Sequence, residues 1–133
     1  MTYSWYKGEK TVLKLEKLPF DFTVCQVREY PARIAEREFS FTARTDEEYS
    51  LVCRTEDVPD TVTAREDGWR AFRIAGVLAF SLVGILAGIA AILAAEKIGI
   101  FAVSTFNTDY VFVKKEAIGK ALDALADAGY TVV

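Results

Sequence analysis

Polar and apolar residues alternate along positions 22–28, 39–44 and 49–54, the period of strands with one face buried and the other wet. Between the first two of these runs, positions 32–38 predict a two-turn helix, and positions 12–15 predict a further strand before Pro19. After the third, only a vestige of a helix fits around 56–58. Positions 59–68, rich in threonine and charge, read as a linker. From Trp69 the pattern predicts strand 69–77, turn 78–81, helix 82–96 with Ser81 as its N-cap, and strand 98–104. A turn at Asn107, strand 109–114, helix 115–128 and a final strand 130–133 follow. That succession, β-α-β-β-α-β, is the ferredoxin-like order of an α+β fold.

The two long helices differ in character. In the later one Ile118, Ala121, Leu122 and Leu125 recur at helical spacing, Glu116, Lys120, Asp123 and Asp127 face away, and Gly129 closes the helix. The earlier one has an apolar face of Leu82, Ile85, Ile89 and Ile92 and a second face of small residues: Gly84, Ala87, Gly88, Ala91 and Ala95. A helix apolar all round is buried all round, and one sheet covers only one face of it. A neighbouring helix, domain or second subunit is therefore expected on the other. From Ile74 to Ala95 no residue carries a charge, a length that alone would allow a membrane span. Division of that run into strand, turn and short helix predicts instead a water-soluble protein with no membrane partner.

Composition narrows the function. The chain has 133 residues, 52% of them hydrophobic, enough for a core in one domain or two very compact ones. A formal charge of −3, with no run of Lys or Arg, argues against a nucleic-acid partner. Histidine is absent, which removes the commonest general base and the commonest transition-metal ligand. Cys25 and Cys53 sit singly in strand patterns, as reduced core residues rather than metal ligands. Neither an enzyme nor a metal or cofactor site is expected. Positions 1–10 mix aromatic and charged residues without the apolar segment of a signal peptide, so a cytoplasmic location is expected.

An internal echo organises the whole. Positions 39–52 and 101–113 each run strand, Thr/Asp turn, acidic residue, tyrosine and apolar strand, which reads as a tandem duplication. The later copy resembles a known family. Gly76-Val-Leu-Ala-Phe-Ser-Leu-Val-Gly-Ile-Leu-Ala and Ile98-Gly-Ile-Phe-Ala-Val-Ser-Thr-Phe-Asn-Thr-Asp-Tyr-Val-Phe-Val-Lys look like the small bacterial tandem ACT-domain proteins. These are similar to the ACT units of the CASTOR arginine sensors and of aspartate kinases. The resemblance covers residues 49–128, with Phe80-Ser81, Gly84-Ile85-Leu86, Ser104-Thr105-Phe106 and Asp109-Tyr110 at fixed spacing.

The resemblance implies two ferredoxin-like ACT units in one chain, a degenerate one over 1–61 and a complete one over 62–133. It implies a regulatory protein that binds an amino acid or similar small metabolite where ACT units meet, while the two-faced apolar helix predicts a homodimer. The ligand residues it implies are Phe80, Ser81, Leu82, Val83 and Gly84 before the first long helix, with Thr105, Phe106 and Asp109 in the hairpin turn. The chemistry agrees: amide N–H groups of 82–85 at a helix start can take a carboxylate, and Asp109 an ammonium. Ala79 stands where the family has an acidic residue, which counts against a basic ligand such as arginine. It also motivates the alternative, an interaction module whose pocket is lost. Asp46-Glu47-Glu48, the counterpart of the Asp109 turn in the first copy, reads most simply as a solvated turn.

Overall fold

The computed structural model describes residues 13–75 and 84–133. In chain order the elements are β1 (Lys14–Lys17), β2 (Phe22–Val27), β3 (Phe41–Arg44), β4 (Tyr49–Arg54), β5 (Val62–Ile74), α1 (Ile85–Ala95), β6 (Ile100–Ser104), β7 (Asp109–Lys114), α2 (Ile118–Asp127) and β8 (Thr131–Val132). Single 3-10 turns lie at Ala32–Glu36, Thr55–Asp57 and Lys115–Ala117. The chain forms two compact units. An inner unit takes Pro19–Trp69, and an outer unit takes the described residues up to Leu18 together with those from Arg70 onward.

In the inner unit the strand order is β3-β4-β2-β5, all antiparallel, with Cys25 opposite Leu51 on one side and Arg65 on the other. The alternation in β2 and β4 buries Cys25, Val27, Leu51 and Cys53 with Ile34 from the first 3-10 turn, and Tyr30, Tyr49, Val58 and Val62 pack around them. Both cysteines are free. The expected linker over 59–68 is not one: β5 starts at Val62 and runs unbroken to Ile74. Its first half is an edge strand in this unit, so its polar side chains stay in water while its backbone pairs with β2. Composition alone could not separate such a strand from a loop.

In the outer unit β7 pairs with β6 and with β5, β1 lies antiparallel to β5, and β8 lies parallel to β1. The β-α-β-β-α-β succession from β5 to β8 agrees with the expected order, and the parallel pair makes the sheet mixed. One strand is extra. β1 joins β5 on one side and β8 on the other through only four residues, whose single buried side chain is Leu15. Helices α1 and α2 cover one face of this sheet: Ile85, Ile89, Leu93, Ala121, Leu122 and Leu125 meet Leu15, Phe72, Ile74, Val111 and Val113. The faces of α1 differ partly from the expectation. Ala87, Ala91 and Ala95 are exposed, but Gly88 turns inward, where a Cβ would lie 3.5 Å from Tyr130 Oη. Among the described residues no helix is long and apolar enough to cross a membrane.

The two copies of the echo share one backbone, though aligned one residue differently from the sequence reading. Residues 41–57 and 101–117 pass through the same succession of strand, two-residue bend, strand and 3-10 turn, so Thr45 matches Thr105 and Tyr49 matches Asp109, not Tyr110. Thr45 N–H donates to Glu48 O at 3.0 Å, and Thr105 N–H to Thr108 O at 2.8 Å. The paths part at the next step. Ile118 takes helical angles (φ −62, ψ −40) and α2 begins, whereas Val58 stays extended (φ −59, ψ 124). Pro59 follows Val58, and the ring of a proline bars the residue before it from the helical region. Gly119 holds the matching place in the outer unit.

Candidate functional site

The hairpin turn between β6 and β7 is built on two threonines. Thr105 Oγ1 donates to Thr108 O at 3.0 Å and accepts from Thr108 N–H at 3.3 Å, so this hydroxyl is engaged within its own turn. The Thr108 side chain is buried and turns back to the sheet, with Oγ1 donating to Ile74 O at 2.7 Å. Phe106, at the tip, is 83% exposed. Asp109 opens β7 opposite Ser104 and is half-buried. By strand alternation it shares a face with Val111 and Val113, and that is the face α1 and α2 cover.

The start of α1 lies at the same end of the unit as this turn. From α1 the chain returns through only a few residues to β6, with Ile98 N–H bonded to Leu93 O at 3.0 Å, so β6 must run back alongside the helix. A helix of 11 residues spans about 16 Å. A strand of 5 spans about 17 Å, so β6 regains the level of the helix start just as it reaches the turn. The Thr108–Ile74 bond ties that turn to the end of β5, where the connection toward α1 departs. At the start of α1 Gly84 adopts φ 85, a conformation that suits glycine, and its carbonyl accepts from Gly88 N–H at 2.8 Å. Gly84 has no side chain to cap the N–H groups of the first turn, and these carry the partial positive charge of the helix.

On the opposite face of the same sheet, Arg73 donates from Nε to Glu16 at 3.0 Å and from Nη1 to Tyr110 Oη at 3.1 Å. The Tyr110 hydroxyl and then Glu16 raise the guanidinium above its ordinary value, so Arg73 is a fixed cation.

Of the expected ligand residues, Phe80, Ser81, Leu82 and Val83 lie outside the described residues, as does Ala79. Thr105, Phe106 and Asp109 are brought together in one turn, at the end of the unit where Gly84 starts α1. Thr108 was missed by sequence reasoning. Its signal was the Thr-x-x-Thr spacing across the turn, which does not reveal that the second hydroxyl is buried.

This geometry is that of an α+β fold with a mixed sheet covered by two helices, and residues 64–127 match the ACT domain family. That match takes in 64 of the 133 residues. The chain is 32% identical to protein Atu0741 of Agrobacterium tumefaciens, whose crystal structure superposes with a TM-score of 0.82 over 92% of this chain and 93% of that one. It is 43% identical over 58 residues to the human cytosolic arginine sensor for mTORC1 subunit 1, a match that takes in 43% of this chain and 18% of that protein. The regulatory subunit of aspartate kinase from Thermus thermophilus shares the fold, with a TM-score of 0.55 at 15% identity over 86% of this chain and 93% of that one.

Proposed function

We propose that this protein is a regulatory module without chemistry of its own, and that its outer unit binds an α-amino acid between the first turn of α1 and Asp109. What supports this reading is the course of the chain through α1 and β6, which brings the helix start at Gly84, a residue with no side chain to cap it, toward the end of the outer unit where Asp109 opens β7 on the helix-covered face. A zwitterion supplies the opposite charges: its carboxylate accepts from the amide groups of the helix start, and its ammonium donates to Asp109. The ACT match and two relatives, the cytosolic arginine sensor and the regulatory subunit of aspartate kinase, support the same class of function. The repeated backbone of 41–57 and 101–117 supports two ACT-like units per chain, the inner one reduced in its helices. The exposed small-residue face of α1 supports pairing of two chains, and the setting is cytoplasmic.

The test is calorimetric titration with the twenty amino acids, first on wild type and then on Asp109→Asn, which keeps the shape and removes the charge. A charged hydrogen bond contributes about 1.5–3 kcal/mol, so the amino acid that binds wild type should bind the variant roughly tenfold or more weakly. The ligand-free melting temperature should scarcely move. Equal affinities would show that Asp109 is a strand-start residue only.

A further inference from the structure

Buried polar side chains among the described residues are Thr23, Asp57 and Thr108, and the first two belong to the inner unit. Thr108 is 7% exposed and spends its hydroxyl on a single acceptor, Ile74 O, across 34 residues of chain. A matched hairpin shows that the turn itself has no need of this bond. In the inner unit Glu48 occupies the same place, is exposed, and the turn still closes through Thr45, whose Oγ1 accepts from Glu48 N–H at 3.2 Å. The added bond in the outer unit therefore serves position rather than hairpin formation. It acts at a particular place, because the exit of β5 is held on two sides. Ala75 N–H donates to Lys14 O at 2.8 Å, and Ile74 O accepts from Thr108. Residue 108 in turn adjoins Asp109, so this short bond adds to the pairing of β7 with β5 in holding the carboxylate near the point where the chain leaves β5 toward α1.

We propose that Thr108 is a positioning residue of the amino-acid site: it fixes Asp109 relative to the end of β5, and thereby sets how tightly an ammonium group is held. This rests on the reading of the outer unit as an amino-acid site. A carboxylate free to shift by a fraction of an ångström loses the short, directed geometry that makes a charged hydrogen bond strong. Removal of the tether should therefore weaken binding even in protein that is fully folded.

The probes are the twenty L-amino acids, titrated singly into wild type, Thr108→Val, Thr108→Ser and a control, Leu122→Ala, which loosens the core without touching the turn. For whichever amino acid binds wild type, Thr108→Val should bind about tenfold more weakly. Thr108→Ser, which keeps the hydroxyl, should stay within about twofold, as should Leu122→Ala below its melting range. Equal binding by wild type and Thr108→Val overturns the positioning role and leaves the amino-acid site standing. Equal losses in Thr108→Val and Leu122→Ala overturn it too, since affinity would then follow stability. No binding of any amino acid by wild type overturns both readings. Should Thr108→Val not fold, wild type decides by NMR: the amide signals of Ala75 and Asp109 should shift together on saturation, and an unmoved Ala75 signal rejects the link.

Discussion

Residues 41–57 and 101–117 fold along the same path and lead to opposite outcomes. In the outer unit the path continues into α2, which lays Ala121, Leu122 and Leu125 on the sheet, and its turn presents a carboxylate at Asp109. In the inner unit Pro59 stops the path, and the residue in the place of Asp109 is Tyr49. That ring packs 5.5 Å from Tyr30, whose hydroxyl donates to Ser50 O at 2.8 Å, and the Arg44 guanidinium sits 4.6 Å above it. Aromatic side chains thus occupy the place in the inner unit where the outer one offers a charge. The same backbone carries either a filled core edge or a charged turn, and a few side chains decide which.

The largest test of this contrast removes what α2 contributes. Leu125 is fully buried, so Leu125→Ala should cost about 2–5 kcal/mol in urea denaturation. Val58→Ala, at the residue where the inner unit stops short of a helix, should cost less than half as much, because Val58 is only partly buried. Equal costs would mean that the inner unit depends on its helix vestige as the outer one depends on α2.

A second test moves the stop signal. Gly119→Pro places the proline of the inner unit at the matching point of the outer one, in the first turn of α2, where it disfavours helical angles at Ile118; it should cost about 0.5–3 kcal/mol, with weaker circular dichroism at 222 nm. An unchanged helical signal would show that Pro59 is not what ends the inner path.

The smallest effect is one of pH and belongs to the inner unit alone. Asp67 accepts from Thr23 Oγ1 at 2.6 Å and from Arg65 Nη2 at 3.0 Å, and the Thr23 bond, then Arg65, hold its carboxyl below the usual value. A folded-state pKa below the unfolded one gives stability that is present above the unfolded value, about 4, and lost as pH falls through the folded one. Melting temperatures of wild type should therefore drop more steeply below about pH 4 than those of Asp67→Asn. Parallel profiles would show that Asp67 contributes nothing.

Strand β2 was legible from its alternation, β4 and β7 from runs of apolar residues of which each buries three in succession, and α2 because Leu122 and Leu125 recur at helical spacing. The start of β5 was hidden by Thr63, Arg65, Glu66 and Asp67, which signal a loop unless the pairing with β2 is known. The four residues of β1 gave no sign of which strands they join, since Leu15 is the only buried side chain among them. The echo was aligned on its tyrosines, the most conspicuous residues, although the backbone aligns on the turn threonines. At the site, Asp109 was visible as a charge at a strand start. The hold of Thr108 on Ile74 was not, because a bond across so many residues leaves no local pattern.

The placement of β1 beside β8 also bears on the order in which the molecule can assemble. Lys14 pairs with Thr131 and Leu15 with Val132, nearly the whole chain apart, and Val133 N–H reaches Leu15 O at 2.8 Å. Closing so long a loop costs entropy that only an already formed sheet repays, so these strands join late, after the local hairpins. A contact made late is absent from the transition state, and weakening it speeds the opening of the native molecule while scarcely slowing its formation. Weakening the pairing of β1 with β8 is therefore expected to shorten how long the folded outer unit survives more than it slows how fast it is reached.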